Sequence, residues 1–357
     1  MKLQLTPILA AICLVLFTVA WGQSPSTVLV VGNANNASSV TLVNYYMNAR
    51  NIPAQNQLLL NLPAQYTPDN VYQTTLADFE NLIAPAIYAY IATLPHIDYI
   101  VMCRNLPYII SDTSSVNGYS IDSLLAGITL SKISNPYYGA HSAFNSLTYG
   151  MFLVNRLDGY SWSDATSLVN NSLTAMPAGP FFFDEANIPF DTNPTYAPID
   201  EYMTAAAVML ESMKVPTILS QYQSFYAPPI PLGGYRSWGN LDQTYTKPAF
   251  AALQFAPGSI CELTDSYSGR RIRAYDRNET FAQMAQLIHQ GLTAGQAYAS
   301  EPLVNGHIND TLLFPNYLAG MNAAESFYSS SEFLGWKSVD LGDPLCSPYS
   351  FDPFIMP

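Results

Sequence analysis

The chain has 357 residues, of which 49% are hydrophobic and only 11% charged, with a net charge of −13. That apolar share describes a globular protein with a large core, and the acidic balance argues against nucleic acid or an anionic membrane as the main partner. The four cysteines show no CxxC spacing, and three of them lie beyond the first 22 residues, so neither a disulfide framework nor a zinc ribbon is indicated.

Residues 1–22 read as an export signal. Lys2 gives the positive start, "PILAAICLVLFTVA" the apolar stretch, and Ala20 and Gly22 the small residues before cleavage ahead of Gln23. The run is shorter than the roughly 20 residues of a spanning helix, and no Cys follows it at the cleavage position. The expectation is a secreted or periplasmic protein with no transmembrane anchor in its mature part. Residues 23–357 then form one α/β domain, with two subdomains permitted by the length.

In chain order, "TVLVVGN" (27–33) is a strand and 38–50 a helix, "QLLLNL" (57–62) a strand and 75–94 a long helix. "DYIVMCRN" (98–105) is the third strand, with a helix at 121–130. "GMFLVNRLDG" (150–159) is the fourth, with a helix at 161–175. Then come strand "PFFFDEA" (180–186), helix 198–213, and strands "PTILSQ" (216–221), "YRSWG" and "SICELTD" (259–265). A helix at 279–292, strand "AGQAYASEP", a final helix at 317–334 and "WKSVDLGDP" complete the chain. Alternation of helices with nearly unbroken apolar strands predicts a mainly parallel sheet with helices on both faces.

In open α/β sheets ligands bind beyond the carboxyl ends of the strands. Those ends carry Asn33, Asn35, Arg156, Asp158, Asp184, Trp238, Asn240, Asp242, Thr264, Asp265 and Glu301, the candidate lining of a strand-end cleft. Strands must in any case end in polar loops, so ordinary caps are the competing reading. Trp238 offers a large apolar face and one donor, either as a stacking surface or as a residue packed beneath the next loop. Arg270, Arg271, Arg273 and Arg277 form a basic cluster that suits carboxylate or phosphate, or faces acidic surroundings as a solvated loop.

Known catalytic devices find little support. No GxSxG elbow, GxxxxGK[ST] loop, post-strand GxGxxG or HExxH is present. His96, His141, His289 and His307 lack ligand spacing, and "DEANIPFDTN" lacks the spacing of a calcium loop. No metal and no cofactor is expected. Cys261 sits within "SICEL" rather than at its end, and buried thiols are inert.

The set "VLVVGNANNASSV", "NPYYG", "FLVNRLDGYS", "YRSWGN", "ASEP", "LFPNYLAGMNAAESFY" and "VDLGDPLC" resembles a family of secreted bacterial proteins without an assigned activity. More distantly, the order "YRSWGN", "SICELTDSYSG", helix, "GQAYASEP" and "LGDP" resembles the gingipain-type cysteine peptidases. That resemblance implies a three-layer, caspase-like fold. It also puts Trp238 where the catalytic His would stand, and the nucleophile's place near Thr264, Asp265 and Ser266, where there is no Cys.

The expectation from the resemblance and the strand ends is a non-catalytic binding module for a peptide, glycan or envelope component. A carboxylate-based hydrolase, using pairs drawn from Asp158, Asp184, Glu185, Asp242, Asp265 and Glu301, is the alternative. A structural surface protein, suggested by the high Tyr, Asn and Ser content, is the third reading.

Overall fold

The computed structural model describes residues 24–111, 118–186, 196–221, 223–273 and 281–350. The expected export signal, most of "DEANIPFDTN" and Arg277 lie outside the described residues. Among the described residues no helix is long and apolar enough to cross a membrane.

Ten strands build one sheet: β1 Val28–Asn33, β2 Gln57–Leu60, β3 Tyr99–Cys103, β4 Leu153–Leu157 and β5 Phe181–Asp184, followed by β6 Thr217–Ser220, β7 Leu232–Ser237, β8 Phe255–Leu263, β9 Ala294–Tyr298 and β10 Ser338–Gly342. Their order across the sheet is β6-β5-β7-β8-β9-β10-β4-β3-β1-β2. Within each block the pairing is parallel, β2-β1-β3-β4 on one side and β6-β5-β7-β8-β9 on the other. β10 joins them. It runs antiparallel to β9, with Ala294 opposite Gly342, and meets β4 through only two residue pairs, Asp340 with Asn155 and Leu341 with Arg156.

The strands are apolar because both faces are covered. All six residues of β1 and all five of β3, β4 and β9 are buried. One face carries α1 (Ala37–Arg50), α4 (Trp162–Leu173) and α6 (Met284–His289). The other carries α2 (Ala84–Ile91), α3 (Ile121–Gly127), α5 (Ala197–Ser212), α7 (Asp310–Leu318) and α8 (Ala323–Ser330). This is the expected mainly parallel sheet between two layers of helices.

Three elements depart from the expectation. The final helix, expected as one piece over 317–334, is two, α7 and α8. Gly320 adopts φ +95°, which ends the first, and Asn322 with Glu325 forms a capping box that starts the second. The expected helix at 75–94 contains a π-helical turn at Phe79–Ile83 just before Pro85, whose ring nitrogen cannot donate an intrahelical bond. The expected helix at 279–292 is shorter, Met284–His289, and ends before Gly291 at φ +103°.

Candidate functional site

At the carboxyl ends of β7 and β8 the chain turns on Gly239, whose φ of +57° brings its backbone close to Ala282. A Cβ there would stand 2.8 Å from the Ala282 methyl, so the turn requires glycine. Alternation along β7 sends Arg236 to the face opposite Tyr235, towards α7. There its Nε donates to both carboxylate oxygens of Asp310, at 2.8 and 3.0 Å. Its Nη1 pairs with Glu262 of β8 and donates to the Thr264 hydroxyl, while Nη2 is buried without a hydrogen-bond partner. Arg236, Glu262 and Asp310 are all fully buried.

Glu262 also accepts from the Tyr298 hydroxyl at 2.7 Å, and His307 Nδ1 lies 2.9 Å from the same oxygen. Burial acts to raise the Glu262 carboxyl, but Arg236 and His307 outweigh it and hold it below the usual range. Burial pushes Asp310 up to about 7 despite the same guanidinium. One cation thus stands between two buried acids, with an imidazole on the far side.

Trp238 is 1% exposed and packs among Phe181, Phe183, Ile199, Met203 and Phe314. Its Nε1 donates to Asp200 at 2.7 Å, and Tyr196 meets its ring edge-on. Of the two readings of Trp238, the stacking face is absent and the packed residue is found, with α5 rather than the next loop covering the indole. The surrounding candidates are fastened in the same way. Asp265 accepts from the Ala282 backbone at 2.7 Å, and Asn240 from the same N–H at 3.3 Å. Asp242 caps its own turn through Thr244. Asp184 is 1% exposed and takes one bond from Ser237, at 3.3 Å. Burial, then Asp242 nearby, pushes its carboxyl up to about 8.

The other block of the sheet shows the same pattern. The Asn33 amide donates to the backbone oxygens of Tyr66 and Asn105, and the Asn35 amide to the side-chain oxygen of Asn61 and the backbone oxygen of Leu62. Arg156 grips Asp122 with two bonds, at 2.9 and 2.6 Å. Asp158 receives Arg104 at 2.9 Å and Arg273 at 2.7 Å. The Arg273 contact crosses from the loop after β8 to the end of β4 and so ties the two blocks together. It also turns one member of the arginine cluster into an internal tie, with Arg270 lying over the Tyr267 ring. Ten of the eleven candidates thus stand at their strand ends as bonded corners rather than as the lining of an open cleft.

Cys103, Cys261 and Cys346 are free and buried, and burial raises all three thiols, Cys346 to about 11. Among the described residues no group of three or more His, Cys, Asp or Glu could hold a metal ion.

The eleventh candidate, Glu301, follows β9 and lines a pocket of about 680 Å³. Tyr196, Ile199 and Tyr202 of the α5 region form one wall, Leu303 to Asn309 another, and Tyr138 and Glu332 the rim. The three tyrosines are each more than a third exposed. Ile199, Ile308 and the His307 side chain are almost fully covered and close the base. Glu301 accepts from the Leu303 backbone at 3.1 Å. Tyr138, Tyr196, Tyr202, Glu332 and His307 were not singled out as a site by sequence. The only signal was the tyrosine content, and a lone histidine without ligand spacing gave none.

No family model matches the sequence, and no curated protein does. Solved structures do. The chain is similar to the complex of Porphyromonas gingivalis RgpB pro- and mature domains, at 9% identity and a TM-score of 0.52, over 90% of this chain and 79% of that one. It is also similar to a solved protease structure, at 11% identity and a TM-score of 0.49, over 91% of this chain and 79% of that one. The fold is caspase-like. At such identity the likeness is one of fold alone.

Proposed function

We propose that this chain is an exported, non-catalytic binding domain on a caspase-like fold, which takes a peptide, glycan or envelope component at the Glu301 pocket. The observation that carries this reading is the pairing of a filled corner with an open pocket beside it. Where the resemblance to gingipain-type peptidases puts the catalytic His stands Trp238, packed as core. Around the nucleophile's place, Thr264 and Asp265 are occupied in holding Arg236 and the Ala282 backbone. A few ångströms of tyrosine edge away, a cavity of ordinary ligand size remains.

The alternative, a carboxylate-based hydrolase, draws on Asp184, whose carboxyl at about 8 is protonated at neutral pH, beside Asp242 and Glu185. Its 1% exposure leaves it without access to a substrate. The test incubates the purified chain with envelope extracts, peptides and glycans, and follows both the thermal midpoint and product formation by mass spectrometry. Stabilisation without product is expected. Product that disappears in Asp184→Asn or Glu301→Gln would replace the binding reading by the hydrolase.

A further inference from the structure

We infer that the Glu301 pocket is built for a short neutral oligosaccharide, stacked on Tyr138, Tyr196 and Tyr202 and anchored at its base by His307. This rests on the binding reading above and names the ligand class of that site. Three exposed phenol rings supply flat apolar faces for the C–H faces of pyranose rings, each with a hydroxyl at its edge. Asn305, Asn309, Glu301 and Glu332 surround them with acceptors and amide donors for sugar hydroxyls. The volume, about 680 Å³, lies in the usual range for small-ligand sites.

The charges select against anionic ligands. The described lining holds two carboxylates and no lysine or arginine, so a phosphate or an acidic sugar would meet repulsion with no counter-charge. A cationic side chain would find Glu332 exposed at the rim, where water screens the attraction, and Glu301 half-buried and already accepting from the Leu303 backbone. His307 Nδ1 faces Glu262, and an ionised carboxylate only accepts, so the proton sits on Nδ1. With a single proton on the ring, at Nδ1, Nε2 is an acceptor for a hydroxyl. The edge-on Tyr298 ring, 4.7 Å from the imidazole between centroids, holds it in that orientation.

Calorimetric titration of the full chain with cellotriose, maltotriose, triacetylchitotriose, trigalacturonate and trilysine separates the cases. At least one neutral trisaccharide should bind, while trigalacturonate and trilysine should not. Tyr202→Ala should weaken that binding by about tenfold or more, the scale of one lost stacking ring, with the thermal midpoint held. Trilysine binding that Tyr202→Ala abolishes, without any sugar binding, would overturn the sugar assignment and leave the binding reading standing. No heat from any probe at about 10 mM would overturn both.

Discussion

The corner at Trp238 and the pocket at Glu301 lie at the same edge of the sheet and are walled by the same helix, α5, yet they are opposites. In the corner the charged and polar side chains are buried and turned to one another, although Arg236 Nη2 and Asp184 Oδ1 have no hydrogen-bond partner. Arg236 serves Glu262, Asp310 and Thr264, the indole N–H serves Asp200, and Asp265 holds the backbone of the next helix's approach. In the pocket Tyr138, Tyr196, Tyr202 and Glu332 are exposed. The lesson is that charge gathered at strand ends does not by itself mark a site. A chain with few charged residues places many of them inside, as ties between neighbouring strands and helices.

The contrast can be broken most forcefully at Arg236. Arg236→Met leaves Glu262 and Asp310 buried without their guanidinium, and should cost about 3–5 kcal/mol in denaturant unfolding, the range for a broken buried pair. A loss near zero would show that water reaches the network and that the corner is open.

Asp184 sharpens the same point through pH. In the unfolded chain a carboxyl of this kind titrates near 4, whereas the folded one is raised to about 8. Between those values the folded state keeps a proton that the unfolded state has lost, so stability falls as pH rises from about 4 to about 8. Asp340, also raised by burial, acts in the same direction. Asp184→Asn should flatten the fall, with a thermal midpoint above the parent at pH 8 and equal to it at pH 4. Parallel curves at both pH values would place the Asp184 carboxyl in contact with water.

The smallest expected effect is none at all. Cys103, Cys261 and Cys346, buried with raised thiols, should resist alkylation in the native protein and react once it is unfolded. Rapid native labelling of Cys261 would expose the core of β8.

The sheet was legible because strands covered on both faces must be apolar throughout, and "TVLVVGN", "DYIVMC" and "PFFFD" have no other good home. The break between α7 and α8 was written in Gly320 and Asn322-Ala-Ala-Glu325, but the apolar positions running through it favoured a single helix. The strand-end residues were readable as polar positions, not as pairs. Nothing local announces that Arg236 will meet Asp310, 74 positions away, or that Arg273 will cross to Asp158. Trp238 stayed undecided between a stacking face and a packed residue because the helix that covers it comes from an earlier part of the chain. His307 and Tyr202 gained their place only when the loop after β9 and the start of α5 came together.

The central claim is that the corner is core and the pocket is surface. Urea unfolding of Trp238→Ala beside Tyr202→Ala tests it most directly. Trp238→Ala should lose about 3–5 kcal/mol, as a buried aromatic does. Tyr202→Ala should stay within about 0.5 kcal/mol of the parent, as a surface position does. The reverse order, a tolerated Trp238→Ala and a destabilising Tyr202→Ala, would contradict the account.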